Sequence, residues 1–321
     1  MASRVQRHLW LFAAGLALAL LVANIIAEPN FGNPSNWPDE LATLAPLAIV
    51  AMAQTPAILS GNGGIDLSIG PLAILSNVVV VELLLPHAGL GSIWVALPIA
   101  VLLCAAVGAV NGVLVTVLRY RPVIATLCTF FVLAGLVAKI APKPKTAADV
   151  GWLDHLGDKI AFVPGGLVLI AAPLVLWAVL GRTAFHRNLY LTGGSDATAF
   201  SAGVDVTSTR IVAYALGGGI AGLAGVALTA VVQSTQAAGY SQYTLIALAA
   251  VALGGTQLYG GRGGMVGSLL GAASIYLMQS LLSALNVSSS WLDLAYGVLL
   301  VAGVIVGAQL LELQRTTRAA A

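Results

Sequence analysis

The sequence predicts an all-α, polytopic membrane protein forming a single domain over residues 1–321, and three observations carry that prediction. First, 59% of the 321 residues are hydrophobic and only 8% are charged, whereas a soluble domain carries about 25% charge. So few polar groups cannot cover a globule, but helices surrounded by lipid need no such cover. Second, the apolar runs approach the roughly 20 residues that a helix needs to cross a bilayer core. Backbone groups in hydrocarbon must be satisfied within their own segment, which favours helices over an open sheet. Third, arginine and lysine segregate between alternate loops.

Ten spans are expected. The first, 9–27, follows Arg4, Arg7 and His8, a pattern shared with secretory signal peptides. Its apolar run exceeds their usual length of about 7–15 residues, and no clean small-x-small site precedes Glu28, so a retained span is the expectation. Spans two and three, 41–59 and 70–86, flank the stretch GNGGIDLSIG (61–70). Spans four to seven are 93–118, 122–140, 163–180 and 209–232. The eighth, 243–258, is the weakest, because its apolar run LIALAAVAL ends at Gly254 and fits either a re-entrant segment or a short, broken crossing. Spans nine and ten are 265–285 and 291–311.

With the N-terminus inside, Arg4, Arg7, Arg119, Arg121, Arg182, Arg187, Arg210, Arg262, Arg315 and Arg318 are all cytoplasmic. Lys139, Lys143, Lys145 and Lys159 then lie outside, sharing their loop with Asp149, Asp154 and Asp158. An even number of crossings places both termini in the cytoplasm. If 243–258 failed to cross, three arginines would change sides, so the charges favour a crossing.

The remaining chemistry is sparse. Cys104 and Cys128 fall within predicted spans and read as small packing residues. His8, His87, His155 and His186 are scattered and offer no pair at metal-ligand spacing, so no metal site and no resident cofactor are expected. No GxxxxGK[ST] loop is present, so any nucleotide energy must come from another chain. Nothing in the sequence suggests a nucleic-acid partner.

What stands out is a set of polar and flexible positions near membrane depth. An ionised Asp at the bilayer centre costs about 2.5–3.5 kcal/mol, so Asp66 either has a wet, protein-lined or interfacial place or is neutral. Gly61, Gly63, Gly64 and Gly70 allow non-helical backbone there, which survives only beside protein or a water-filled cavity. Two readings stay open: a broken helix facing a passage, and a plain turn in which Asp66 caps the next helix. GGIDLSIG (63–70) and GGTQLYGG (254–261) share the form GGxxLxxG, which adds Gly254 and Gly255 to the candidate break positions. The longest inner loop, 181–210, is polar and rich in small residues; a short helix over 195–202, capped by Ser195 or Asp196 and ended by Gly203, is expected within it. Such a helix is where a motor protein could push, and a solvated connector is the alternative.

The segments GGIDLSIG (63–70), NGVLVTVLRYRPVIATLCT (111–129), GGSDATAFSAGVDV (193–206) and ALGGTQLYGGRGGMVGSLLGA (252–272) resemble, in order, signatures of the ribose-type permease subunits of bacterial ATP-binding cassette importers. The resemblance implies one of two permease chains, identical or homologous, in a bacterial inner membrane. It further implies two cytoplasmic ATPase domains and an extracytoplasmic binding protein that delivers a simple sugar. The loop 181–210 is then the ATPase coupling loop, with Gly193, Gly194, Ser195, Asp196, Ala199 and Gly203 at the matching positions. Ser195, Ala197, Thr198 and Phe200 depart from the family pattern, pointing to a specialised ATPase or a second, different permease chain. Cys128 replaces a family glycine and is expected to put a bulkier atom into a packed position.

For a neutral polyol, hydroxyls, amides and small residues suit a route better than a fixed ionic site. Asp66, Ser68, Asn111, Thr126, Thr129, Thr256 and Gln257 are the candidates. Asn111, Thr126 and Thr129 equally suit bonds to neighbouring helices. Three other functions are weighed. A branched-chain amino acid permease of the same superfamily differs only in cargo. An ion-driven transporter would place ionisable residues in mid-span, where this chain is nearly bare. An intramembrane enzyme would need a converging catalytic set, and none is apparent.

Overall fold

Helices occupy nine of the ten predicted spans in the computed structural model, which describes residues 2–87, 89–147, 150–160, 162–237 and 240–287, and positions 291, 294, 297, 298 and 301. The tenth span apart from those isolated positions, and Asp149, Arg315 and Arg318, lie outside the described residues. In chain order the helices are α1 (Ala2–Ala27), α2 (Trp37–Leu59), α3 (Ile69–Val78) with a π-helical continuation (Val79–Leu84), α4 (Ile93–Thr116) and α5 (Pro122–Ile140). Then follow α6 (Gly151–Gly157), α7 (Gly165–Leu180), α8 (Ala184–Gly194), α9 (Asp196–Ser201), α10 (Val206–Val232), α11 (Tyr240–Leu253) and α12 (Met265–Ala284). Among the described residues, six helices are long and apolar enough to cross a membrane, or seven if α7 and α8, bent by 88°, count as one.

The chain is therefore a polytopic, predominantly helical membrane protein. Its centre is α2 and α10, whose apolar windows are 83% and 72% buried, against 22% for α4 and α5. Lipid tails are as apolar as leucine, so helices associate through close packing of small residues rather than through a hydrophobic driving force. The seam between α4 and α10 illustrates this: a Cβ on Gly108 would collide with the Tyr214 carbonyl, and one on Gly218 with the Cys104 carbonyl. Cys104 is buried on that seam, as its reading as a small packing residue required. Cys128 differs from expectation. It is exposed on α5, so its extra atom enters no packed position.

Three further differences have local causes. The loop 181–210 is helical over most of its length: beyond the expected short helix, α8 docks through Leu189, which clusters with Leu59 and Ala213 and is flanked by Phe185 and Tyr190. Polar composition hid that apolar face. The eighth span stops at Leu253 rather than 258, because Gly254 packs against the Gly267 carbonyl and Gly255 turns with a φ of +78°. At about 1.5 Å per residue, the 14 residues of α11 reach about 21 Å. Finally, β1 (Lys159–Ile160) and β2 (Val163–Pro164) form a small antiparallel hairpin that adds a trace of sheet to the all-α expectation.

Candidate functional site

The break between α2 and α3 folds around Asp66, which is fully buried. One carboxylate oxygen accepts from the Ser68 amide (2.9 Å) and the Ser68 hydroxyl (2.6 Å). The amide bond is a local Asx turn placed just before α3, so Asp66 shapes the entry to the helix without being its N-cap, which is Ser68. The network then runs across helices: Asn111 of α4 donates to the Ser68 hydroxyl (2.8 Å), and Thr129 of α5 donates to the Asn111 carbonyl oxygen. Thr126 accepts from the Leu67 amide (3.1 Å) and donates to the Pro122 carbonyl (2.9 Å). Five of the seven route candidates thus share one polar cluster.

Two residues that sequence reasoning missed complete it. Gln54 of α2, with its amide oriented to match both groups, bonds the Asp66 carbonyl and amide at 2.9 and 3.0 Å. Thr244 of α11 accepts from the Gly70 amide (3.1 Å) and donates to the Leu67 carbonyl (3.3 Å). Neither residue belongs to a local motif; the only signal is a polar side chain inside an apolar run. Asp66 Oδ2 is buried without a partner among the described residues, leaving the network one unused acceptor.

Thr256 and Gln257 stand elsewhere, in the loop 254–264 after α11. Thr256 accepts from the Gly264 amide (3.2 Å), and the Gln257 amide donates to the Arg262 carbonyl (3.0 Å). That loop nevertheless meets the first break. The Gly261 amide donates to the Leu59 carbonyl (3.1 Å), and a Cβ on Gly260 would collide with the Gly61 backbone. The loop that carries the second GGxxLxxG segment therefore touches the turn just before the first.

The end of α8 wedges into the same junction. A Cβ on Gly193 would strike the Leu59 carbonyl oxygen, whereas one on Gly194 would meet nothing within 4 Å. Tyr190 donates to the Gly263 carbonyl (2.8 Å). Ser195 caps α9 by accepting from the Thr198 amide (3.3 Å), Ala199 is buried beneath it, and Gly203 leaves it with a φ of +79°. Asp196, the first residue of α9, forms a two-pronged ion pair with Arg210 (2.6 and 3.0 Å). Arg210 is buried near the start of α10 and also donates to the Ser60 carbonyl through two nitrogens, each at 3.2 Å. One guanidinium thereby joins α9, α10 and the end of α2. Bidentate, charge-assisted bonds of this kind are the stronger and more directional class. Asp205 caps α10, and the Ser208 hydroxyl and amide hold its carboxyl below the usual carboxylate range.

At the lysine-bearing end a backbone bridge between Thr146 and Ser234 joins the loop after α5 to the linker after α10. Glu82, in the π-helical turn, pairs with Lys145 at 3.8 Å and accepts from the Thr235 hydroxyl (2.8 Å). Asn77 bonds Thr229, the Ser234 carbonyl and the Gln236 amide at 2.9, 3.1 and 2.7 Å, tying α3 to the linker after α10.

Comparison with known proteins follows this geometry. The chain matches the family described as "Branched-chain amino acid transport system / permease component" over residues 39–307. It is 32% identical to the ribose import permease protein of Bacillus subtilis, covering 91% of this chain and 90% of that one. It is 34% identical to the ribose import permease protein of Escherichia coli, covering 92% and 94%. The fructose import permease protein of Rhizobium meliloti is 31% identical over 91% of this chain and 82% of its own. No solved structure matches the chain. A packed helical membrane body, a match over most of its length and relatives above 30% identity together place this chain in the branched-chain amino acid transport system / permease component family.

Proposed function

We propose that the chain is a membrane-spanning permease subunit of an ATP-binding cassette importer in a bacterial inner membrane, taking up a simple sugar or polyol. The ribose and fructose import relatives support sugar as cargo over branched-chain amino acids. The observation that carries the mechanism is the Arg210–Asp196 clamp, which ties the short helix α9 to the buried core helix α10.

In this reading two cytoplasmic ATPase chains close on ATP and displace α8 and α9. The clamp passes that displacement to α10, and the glycine junction passes it to the breaks at 60–68 and 254–264. The body then alternates between outward-open and inward-open states, the differential contacts of the ATPase with the two states supplying the bias. This chain performs no covalent chemistry. An extracytoplasmic binding protein delivers the sugar, which passes between two permease chains. The cluster of Asp66, Ser68, Asn111 and Thr129 is closed in this conformation, and its hydroxyl and amide groups, with Asp66 Oδ2, would meet a solute only once the helices around it part.

The test is sugar uptake by the complete complex in vesicles with ATP enclosed. Uptake is expected to vanish with a catalytically dead ATPase and to survive an ionophore. Uptake that persists without hydrolysis and collapses with the ionophore would overturn the proposal.

A further inference from the structure

A cleft of about 770 Å³ opens beside the clamp, between the turn joining α4 to α5, the glycine break after α2 and the start of α10. That volume lies within the range of about 300–1,000 Å³ typical of small-ligand sites. Its charge is one-sided. Arg210 and Asp196 line it but neutralise one another, whereas Arg119 and Arg121 line it, are exposed, and have side chains with no hydrogen-bond or ion-pair partner among the described residues. Among the described residues no other charged side chain lines the cleft.

Backbone geometry sets the two arginines there. Arg119 sits at a φ of +58°, a left-handed conformation uncommon for a residue other than glycine. The turn is held by the Tyr120 amide bonding the Leu114 carbonyl (3.1 Å), and Arg121 then leads in extended conformation into α5. Val115, Val123 and Ile124 make the neighbouring wall apolar. Exposed Val117, Leu118 and Leu127 continue apolar surface along α4 and α5.

Two free guanidiniums beside an apolar wall, at the end of membrane helices, match the chemistry of a phosphate group attached to an acyl chain. Arginine binds phosphate through paired N–H donors, and basic pockets between membrane helices hold anionic headgroups. We infer that this cleft binds a phosphate oxyanion between Arg119 and Arg121, supplied by the headgroup of an anionic phospholipid whose chains lie along α4 and α5. The inference does not depend on which solute the protein carries.

The test is thermal unfolding of the full chain in neutral detergent, titrated separately with phosphatidylglycerol, phosphatidylcholine and inorganic phosphate. The variant combines Arg119→Asn, which tolerates left-handed backbone, with Arg121→Gln; Arg121→Gln alone is the control should the pair fail to fold. Phosphatidylglycerol is expected to stabilise the wild type well below the concentration at which phosphatidylcholine acts. Its apparent affinity is expected to fall about 30-fold in the double variant and about fivefold in the single one, the scale of one lost contact per arginine. Stabilisation by inorganic phosphate at a similar concentration would uphold the oxyanion site and replace the lipid as its source. Equal phosphatidylglycerol affinity in wild type and variants would overturn the inference. So would an Arg121→Cys thiol that is shielded from a reagent by the docked ATPase and not by the lipid, since that assigns the cleft to a protein contact.

Discussion

The two ends of the helical body combine backbone and side-chain contacts in different proportions. At the arginine-bearing end, three segments meet backbone to backbone at Gly61, Gly193, Gly260 and Gly261, and a buried guanidinium bonds two further groups. At the other end a backbone bridge also forms, the Ala147 amide bonding the Gln233 carbonyl and the Thr235 amide the Lys145 carbonyl (2.8 Å each), and polar side chains add to it: a 3.8 Å ion pair with Lys145 half-exposed, a threonine hydroxyl, and one asparagine reaching a linker. Backbone contacts cannot give way without moving whole helices, whereas exposed ion pairs are worth about 0–1 kcal/mol and exchange easily with water. The proposed function puts the force at the first end, where the glycine junction leaves least room to yield.

The sharpest way to break this contrast is Gly193→Val. Its branched side chain would meet the Leu59 carbonyl and the Gly261 amide, at a cost of about 3 kcal/mol. Loss of folded protein in detergent is expected, while Gly194→Ala, at the next residue and open to space, leaves the yield unchanged. Equal yields from the two would show that the junction is loose. Next in size is Asp66→Ala, which strips the acceptor from the Ser68 amide and hydroxyl and is expected to destabilise by about 1–3 kcal/mol in chemical unfolding. Asp66→Asn keeps that oxygen and is expected to recover most of the loss. A smaller effect, under about 1 kcal/mol and weakened by salt, is expected for Lys145→Met at the opposite end. Its unfolding midpoint is expected to differ little from wild type, with uptake the more sensitive readout.

The smallest effect concerns pH. The Asp205 carboxyl, with its folded value depressed by Ser208, favours the folded α10 start above its ordinary value of 3.8, and that contribution disappears as pH falls through the lower folded value. Unfolding midpoints of wild type and Asp205→Asn are therefore expected to converge only in strong acid.

Much of this contrast was legible in the sequence, and for a local reason. Apolar length gives spans, Ser195 and Gly203 bracket a short helix through caps that act within three or four residues, and Asp66 in an apolar setting announces a break. The helix Asp196–Ser201 falls inside the expected 195–202. What stayed hidden depends on partners far along the chain. Arg210 reads as one more loop arginine until it is seen bonding Ser60, 150 residues earlier. Gln54 and Thr244 are single polar residues among apolar ones, and α8 is polar by composition although Leu189 is fully buried. Thr256 and Gln257 share a motif form with the Asp66 stretch, yet they belong to the loop 254–264, so the likeness in sequence marks two touching breaks and not one cluster.

The clamp between α9 and α10 is the element on which the whole account turns. Its most direct test is the ratio of sugar imported to ATP hydrolysed by the complete complex in vesicles, compared between wild type and Arg210→Met. Hydrolysis is expected to continue while the ratio falls about tenfold, because in the proposed function α9 moves the core only through this clamp. An unchanged ratio in a folded Arg210→Met complex would contradict it.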